Sequence, residues 1–402
     1  MEGCSKKSDV TVPGLPDDPL MEILSRVPAK SICRFKCVSK AWRDLIADPD
    51  NRKKLPQAMQ GLFVKTADSE IDDTKLANIS FSFIDLTVRF VPMDIDPSFS
   101  FLMERTGIKT FFFMDSCNGL ILFEHRQEPS HLSAGTYMVC NPTIKQWSAV
   151  PACGSREALS HTYLAFDPAV PSHFHLVQFQ IPDVDMEIVS LHVYSSENGT
   201  WSQNQIDEQK EQGQLEGWHH QFTLEVIDYR CAFFNGFLHL MVWDLDRQHI
   251  LVVDIQGKAR RMITVPGMAD GSQRHNITCC LGQSQGHLHC VTIEYADENN
   301  DKLSIWVLQN YDTQDWVLKS TVDLDSFDVF GETEDLNKFQ MVDIHQDCNV
   351  VFVLQESCKL TAYNMDRKEV SVIATFKDHK DPCDFARYVP YFSESSDLTN
   401  KY

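Results

Sequence analysis

The chain has 402 residues, 43% of them apolar, which is typical of a globular protein with one large or two unequal domains. No run of eighteen apolar residues occurs, so no membrane span is predicted, and a net charge of −21 argues against general nucleic-acid binding. The thirteen scattered cysteines favour reduced thiols in the cytoplasm or the nucleus over a disulfide framework.

Charge and apolar content change along the chain. Residues 1–12 have no apolar core region, so we expect a disordered tail and not a secretory signal. Residues 1–60 hold eleven Lys and Arg against eight Asp and Glu, a net of +3, so the remainder carries −24. This difference can steer the basic N-terminal part toward an acidic partner, or it reflects only a solvated surface.

The first element predicted is a short amphipathic helix. Asp18 before Pro19 is typical of a helix start. From Leu20 to Val27, apolar residues recur at i, i+3, i+4 and i+7, which is one stripe of a helix. Pro28 lacks an amide hydrogen and predicts the end of this helix.

Two further short apolar faces follow, and they are carried by Ile32, Phe35 and Val38 and by Trp42, Leu45 and Ile46. Three helices of two or three turns have little core of their own and are marginal in isolation. Periodicity alone leaves two interpretations open. One is a helical subdomain packed on the rest of this chain, and the other is a docking element for another protein.

The order of these residues resembles the F-box motif over its whole length. The stretch opens with Leu15-Pro16, carries a second proline at Pro28 and closes with Val38-Ser39-Lys40-x-Trp42. Val27 stands where the motif more often has Leu. The resemblance implies an F-box domain over residues 13–55. Such a domain docks on a Skp-family adaptor, which links it to a cullin scaffold carrying a RING ubiquitin-ligase subunit.

The same resemblance assigns twelve side chains to the adaptor interface or to the core beneath it. They are Leu15, Pro16, Leu20, Ile23, Leu24, Val27, Pro28, Ile32, Phe35, Val38, Trp42 and Leu45. The sequence does not separate the side chains that touch the adaptor from those that hold the helices together. Trp42 is the strongest single candidate, because truncating an aromatic anchor often costs about 2 kcal/mol or more.

The remainder of the chain, residues 61–392, repeats two strand–turn units. In the first, a tight turn precedes a buried strand, with copies at Cys117-Asn118-Gly119, Phe234-Asn235-Gly236, Gln285-Gly286 and Cys348-Asn349. Asn or Gly is expected to supply the positive φ of a hairpin there. In the second unit a polar turn is followed by a Trp on the returning strand, at Trp147, Trp201 and Trp316. Weaker copies at 254–260 and 364–370 lack the Trp.

Repeated units of this kind are typical of β-propeller blades. Five copies span about 111–151, 160–205, 220–266, 275–323 and 339–376. Strands near 61–65 and 80–90 are expected to pair with 386–392 and close the ring as a sixth blade, which removes exposed sheet edges. The predicted fold is therefore mainly β with a small N-terminal α part. It is a three-helix F-box followed by a β-propeller of six blades, with seven blades as the alternative, a β-sandwich pair less favoured, and 393–402 as a C-terminal tail.

This body also resembles the kelch-like, F-box-associated propeller of large plant F-box families. The residues that carry the resemblance are Asp115-Ser116-Cys117-Asn118-Gly119-Leu120, Asn141-Pro142 with Trp147, and Tyr388-Val389-Pro390-Tyr391-Phe392. The resemblance implies that the propeller presents the protein to be degraded.

A zinc site is the main chemical alternative within the body. His287, His289 and Cys290 follow Cys279-Cys280, but strand alternation places the two histidines on one face and Cys290 on the other. No Cys-x-x-Cys pair occurs, so propeller side chains are favoured over metal ligands. We predict no metal, no cofactor and no catalytic residues.

Three functions from different classes remain. The favoured one is the substrate-recognition subunit of an SCF-type cullin-RING E3 ubiquitin ligase, with an unidentified protein as substrate and no nucleic acid or membrane as partner. The others are a scaffold or regulator that binds the adaptor outside a ligase, and a propeller enzyme or glycan binder. The substrate-binding candidates lie in two loops, with Trp218 and His219 in 203–220 and Phe327 and Phe330 in 323–334.

Overall fold

The computed structural model divides the chain into two compact units, Met1–Ala58 and Met59–Tyr402. The residues that it describes are 16–27, 29–48, 51, 54–55, 58–68, 79–87, 95–108, 111–125, 136–153, 158–168, 173–182, 190–205, 222–224, 231–244, 247–267, 276–294, 301–324, 339–355, 358–376 and 380–400. None of the helices within these ranges is long and apolar enough to cross a membrane.

The first unit contains the three predicted short helices, α1 (Asp17–Leu24), α2 (Ala29–Phe35) and α3 (Lys40–Ala47). Helix α1 begins two residues before the predicted start at Pro19, with Pro16 as its capping residue. Pro19 is tolerated there because the first backbone amides of a helix have no partner within it. Helix α3 is capped by Ser39, whose hydroxyl accepts the backbone N–H of Trp42 at 3.1 Å.

Two strands and a helix open the second unit, namely β1 (Gly61–Asp68), β2 (Ile79–Asp85) and α4 (Ser100–Thr106). Helix α4 is bounded by two left-handed residues, Phe99 with φ 53° and Gly107 with φ 71°. Glycine adopts this conformation without steric cost, so Gly107 ends the helix.

Five antiparallel sheets follow, one for each predicted copy of the strand–turn units. In chain order their strands are β3 (Phe112–Cys117), β4 (Leu120–His125), β5 (Thr136–Asn141) and β6 (Gln146–Val150) in blade 1; β7 (Ala158–Phe166), β8 (Phe174–Pro182), β9 (Ser190–Ser195) and β10 (Thr200–Gln205) in blade 2; β11 (Phe222–Leu224), β12 (Ala232–Phe234), β13 (Phe237–Asp244), β14 (Arg247–Asp254) and β15 (Ala259–Thr264) in blade 3; β16 (Asn276–Ser284), β17 (His287–Glu294), β18 (Lys302–Asn310) and β19 (Asp315–Asp323) in blade 4; β20 (Phe339–Ile344), β21 (Val350–Gln355), β22 (Lys359–Asn364) and β23 (Glu369–Thr375) in blade 5. Blade 3 has five strands because β11 and β12 both pair with β13.

The last strand, β24 (Lys380–Tyr388), returns to the start of the unit. It pairs antiparallel with β1, from Gly61 opposite Tyr388 to Asp68 opposite Lys380, and β1 pairs with β2 on its other edge. This three-stranded sheet is blade 6, and it contains the first and last strands of the unit. The prediction of a six-bladed propeller closed by its termini is therefore confirmed.

The tight turns inside blades follow the predicted chemistry in three of the four copies. Both turn residues have positive φ at Asn118-Gly119, Asn235-Gly236 and Gln285-Gly286. The fourth copy was predicted wrongly, because Asn349 has no positive φ. That turn is longer, and the ring Nδ1 of His345 accepts the backbone N–H groups of Asp347 at 3.1 Å and Cys348 at 3.2 Å.

The turns between the last two strands of the blades share a different hydrogen-bonding pattern. In four of them an Asn or Asp side chain accepts the backbone N–H two residues later, at Asn141, Asp254, Asn310 and Asn364. Two of these turns, at Asp254 and Asn364, are the weaker copies that lack a Trp. The Asn or Asp therefore defines the turn, and the Trp does not.

Two of the repeated tryptophans link neighbouring blades. The indole N–H of Trp201 in blade 2 donates to the carbonyl of Pro151, just after blade 1, at 2.7 Å. The indole N–H of Trp316 in blade 4 donates to the carbonyl of Thr264, at the end of blade 3, at 3.0 Å. The aromatic residue on the returning strand thus joins one sheet to the one before it.

The chain stays packed on the propeller beyond the boundary predicted at residue 392. The carbonyl of Tyr391 accepts from the Asn141 side chain at 2.8 Å, and Leu398 is 2% exposed within an apolar cluster of blades 1 and 2. Asn400 exchanges two hydrogen bonds with the backbone of Trp147, at 2.7 and 2.9 Å. A β-carbon on Gly119 would come within 2.6 Å of Tyr391, so glycine is required where this segment crosses the turn.

Candidate functional site

The three-helix unit has its own apolar core of six buried side chains, Leu20, Met21, Leu24, Ile32, Ile46 and Leu55. Leu20, Leu24 and Ile32 belong to the set predicted for the adaptor interface or its supporting core. Their burial assigns them to the core. Each leucine or isoleucine buried in this way contributes about 1.5–3 kcal/mol relative to exposure.

The twelve predicted positions do not include the other half of this core, Met21, Ile46 and Leu55. Ile46 carried a usable signal, because it closes the apolar face of α3 beside Trp42 and Leu45. Met21 lies outside the i, i+3, i+4, i+7 stripe of α1, and Leu55 follows the last of the three helices. Neither has a periodic apolar pattern that could have identified it.

Four other predicted side chains form a partly buried layer against this core: Val27, Phe35, Trp42 and Leu45. The rings of Phe35 and Trp42 meet edge to face with their centroids 5.5 Å apart. These side chains support the helices and still present apolar surface to solvent.

Two predicted side chains are mainly exposed. Ile23 on α1 is 54% exposed, and Val38, just after α2, is 60% exposed. Six large apolar side chains are exposed among the described residues, and these two are the most exposed of them, although the unit that holds them is small. We call Ile23, Val27, Phe35, Val38, Trp42 and Leu45 the docking set, because the unit's own fold leaves them wholly or partly uncovered.

The remaining predicted positions of the unit are Leu15, Pro16 and Pro28. Pro16 is exposed at the start of α1. Leu15 and Pro28 lie outside the described residues. Arg34 on α2 and Lys40 on α3 are exposed, while Arg26, two residues after the end of α1, forms an ion pair with Glu22 of that helix.

The four substrate-binding candidates of the propeller, Trp218, His219, Phe327 and Phe330, also lie outside the described residues. Their predicted role stays a prediction.

The histidines and cysteines weighed as zinc ligands have other partners. The Nδ1 of His287 lies 3.1 Å from the carbonyl of Gln285, and the Nδ1 of the buried His289 lies 3.1 Å from the carbonyl of His287. Cys290 is fully buried. Within the described ranges, no three His, Cys, Asp or Glu side chains are grouped to hold a metal ion.

A buried charged cluster connects blades 1, 5 and 6 of the propeller. The guanidinium of Arg387 on β24 binds both carboxylate oxygens of Asp343 on β20, at 2.7 and 3.0 Å. The carboxylate of Asp115 on β3 accepts the backbone N–H groups of Ser116 at 2.7 Å and Leu164 at 2.9 Å. Burial raises the pKa of Asp115, although these hydrogen bonds and the charge of Arg387 oppose the shift.

Asp115 and Arg387 also line a small polar cavity, together with Ser116 and Cys231. A buried hydrogen-bonded cluster of this kind specifies how the blades fit together. The thiol of Cys231 contacts the carboxylate of Asp115 at 3.4 Å, and burial raises the pKa of both groups.

Comparison with protein-family models gives two matches. Residues 12–54 match the F-box domain, and residues 92–399 match the family described as F-box protein At3g26010-like, beta-propeller. The second match spans well over half of the chain.

Related proteins from Arabidopsis thaliana are also F-box proteins. F-box protein At5g07610 is 26% identical over 339 residues, covering 80% of this chain and 74% of that protein. F-box protein At5g49610 is 25% identical over 324 residues, covering 77% and 79%, respectively. F-box/kelch-repeat protein At4g22430 is 24% identical over 386 residues, covering 94% and 84%. Among solved structures, apo prolyl oligopeptidase B from Galerina marginata reaches a TM-score of only 0.42 at 10% identity, over 84% of this chain and 44% of that chain, which supports no inference.

Proposed function

We propose that this chain is the substrate receptor of a cullin-RING ubiquitin ligase. The premise is that it belongs to the family of F-box proteins with an At3g26010-like β-propeller. In this function the three-helix unit binds a Skp-family adaptor, and the propeller binds the protein to be ubiquitinated. The chain itself performs no chemistry. The observation that carries the proposal is the docking set, which the unit's own core leaves uncovered.

The docking set has the composition of a protein-binding surface. A specific interface buries roughly 800 Å² on each partner and draws most of its energy from a few aromatic or branched anchors. Trp42 and Phe35 are such anchors, and Ile23 and Val38 each have more than half of their surface available for burial. Exposed cations such as Arg34 and Lys40 favour a partner with acidic residues around an apolar patch.

The propeller supplies a rigid frame for presenting a target. Its first and last strands, β1 and β24, pair in one sheet, so the ring of blades is closed within this chain. Residues 61–402 carry a net charge of −24, which favours a protein target over a nucleic acid. We place this assembly in the cytoplasm or the nucleus, since the described cysteines are free thiols.

The test is a comparison of the full chain with the Ile23→Asp/Val38→Asp variant in plant cells. The full chain should co-purify with a Skp-family adaptor and a cullin, and the variant should lose both. A target protein should be captured by both forms, through the propeller. In cells with the full chain this target should carry ubiquitin, and in cells with the variant it should accumulate. Adaptor binding without a cullin and without any change in captured proteins would contradict the ligase function and support the scaffold alternative.

A further inference from the structure

A thiol, an imidazole, a hydroxyl and an amide form a hydrogen-bonded series where blades 1 and 2 meet. The Sγ of Cys153, three residues after β6, lies 3.1 Å from Nδ1 of His192 on β9. The Nε2 of His192 lies 3.1 Å from Oγ of Ser190, and that hydroxyl donates to Oε1 of Gln180 at 2.9 Å. All four residues are buried, with Cys153 and Ser190 8% exposed, His192 7% and Gln180 6%.

The series fixes the tautomer of the imidazole. A serine hydroxyl has one proton, and Ser190 gives it to Gln180. The hydroxyl oxygen can therefore only accept from His192, which places the ring proton on Nε2. Burial lowers the pKa of His192, so the ring is neutral near pH 7 and its Nδ1 has a free lone pair. That lone pair faces the thiol of Cys153.

We propose that Cys153 is an oxidation site for small hydroperoxides, with His192 as the base that takes the thiol proton. The arrangement is that of an activated cysteine, in which a nucleophile contacts a base and a third group orients the base. This inference concerns the propeller and is independent of adaptor binding.

The reaction balances with hydrogen peroxide as the oxidant. The Sγ proton of Cys153 moves to Nδ1 of His192, and the thiolate attacks one peroxide oxygen. The S–O bond forms as the O–O bond breaks, and the leaving hydroxide takes the proton from Nδ1. Sulfur is oxidised to the sulfenic acid, the peroxide is reduced, and one water leaves.

Other buried thiols of the propeller are in different surroundings. Cys117 donates to the carbonyl of Phe166 at 3.4 Å, and Cys231 contacts the carboxylate of Asp115 at 3.4 Å. Burial raises the pKa of both thiols, and the negative charge of Asp115 raises it further, which keeps them protonated and unreactive. Cys153 instead faces the ring nitrogen of a neutral imidazole, and the series of four side chains that contains it includes no carboxylate.

Oxidation at this position would act on the contact between two blades. The segment that holds Cys153 is joined to blade 2 twice, through the thiol and through the Pro151 carbonyl that accepts from Trp201. An added oxygen on Sγ must enlarge a packed site, so the modification should loosen this contact.

The experiment treats the full chain with hydrogen peroxide, traps sulfenic acid with a dimedone reagent and quantifies each cysteine by peptide mass spectrometry. Cys153 should label faster than Cys140, which is fully buried, and the exposed Cys37 provides the reference for an unassisted thiol. His192→Gln should slow labelling of Cys153 at least about tenfold and leave Cys37 unchanged. Labelling of Cys153 no faster than that of Cys140, or an unchanged rate in His192→Gln, overturns the proposal.

If His192→Gln does not fold, Ser190→Ala carries the same test. It keeps the imidazole but removes the hydroxyl that holds the ring proton on Nε2. Slower labelling of Cys153 at an unchanged melting temperature supports the base role, whereas an unchanged labelling rate overturns it.

Discussion

Phe35 and Trp42 meet edge to face across the first unit, with their ring planes at 85°. The contact joins α2 to α3 and leaves both rings only partly buried. Such aromatic pairs contribute about 0.5–1.5 kcal/mol beyond their buried area. Both rings are therefore held in place before a partner arrives, which reduces the ordering cost of binding.

Leu24 and Ile23 are neighbours on α1 with opposite roles. Because Leu24 is fully buried, Leu24→Ala should lower the free energy of unfolding of the first unit by about 2–5 kcal/mol. Ile23 is 54% exposed, so Ile23→Ala should change that free energy by less than about 0.5 kcal/mol. Hydrogen exchange of the α1–α3 amides in the full chain measures both effects. Equal losses of protection would show that Leu24 does not belong to the core.

Trp42 contributes both to packing and to the docking set. Trp42→Asp should abolish binding of a Skp-family adaptor, because it places a charge where an apolar anchor is needed. Trp42→Phe should retain measurable binding, since an aromatic ring can still meet Phe35. Pull-down with purified adaptor measures both variants, and the melting temperature of the propeller is the control. Unchanged capture by Trp42→Asp would count against the assignment.

Asp343 forms a buried ion pair with Arg387, and Asp312 forms an exposed ion pair with Arg261 that serves as the comparison. Asp343→Asn leaves Arg387 buried without its carboxylate, so it should destabilise the propeller by about 3–5 kcal/mol. The Asp312 side chain is 87% exposed and contacts Arg261 at 3.1 Å, so Asp312→Asn should cost less than about 1 kcal/mol. Chemical denaturation compares the two, and similar midpoints would argue against a structural role for the buried pair.

The free energy of unfolding of the propeller should fall as the pH is lowered from about 6.5 toward 4, because of its buried histidines. Burial lowers the pKa of His239 and of His289 from 6.5 to about 4. The unfolded chain therefore binds more protons between these values, so the stability that the neutral rings contribute is complete above pH 6.5 and falls toward pH 4. Each group accounts for up to about 3 kcal/mol.

Denaturation of the propeller between about pH 7 and pH 5 measures this loss. Burial also lowers the pKa of His161 to about 4, so His289→Gln removes one of at least three such rings, and its Nε2 has no hydrogen-bond partner among the described residues. The variant should show a shallower dependence of stability on pH. A slope identical to that of the unchanged chain would mean that His289 is already protonated in the folded state.

The architecture was largely predictable because its signals are local. Pro16 precedes the first helix, Ser39 caps the third, and turns with positive φ at Asn118-Gly119 and Asn235-Gly236 recur in the blades. Even the weaker copies at Asp254 and Asn364 formed the expected turns, since their side chains accept the same backbone amide as the stronger copies do.

The division between core and surface in the first unit was not predictable. Ile23 occupies the apolar stripe of α1 but is exposed, whereas Met21 lies off the stripe and is buried. A helix of eight residues has barely two turns, so the neighbouring helices determine which part of its apolar face is covered. The docking of Leu398 and Asn400 was missed for a related reason, because single side chains without periodic neighbours leave no pattern.

The most direct test is a calorimetric titration of the purified full chain with a purified Skp-family adaptor. The unchanged chain should bind, and Ile23→Asp/Val38→Asp should weaken binding at least about a hundredfold, nearly 3 kcal/mol. Val317→Asp/Leu318→Asp, at two similarly exposed apolar positions on β19, should bind as the unchanged chain does. Absence of binding by the unchanged chain, or equal affinity in all three proteins, would contradict adaptor docking through the first unit.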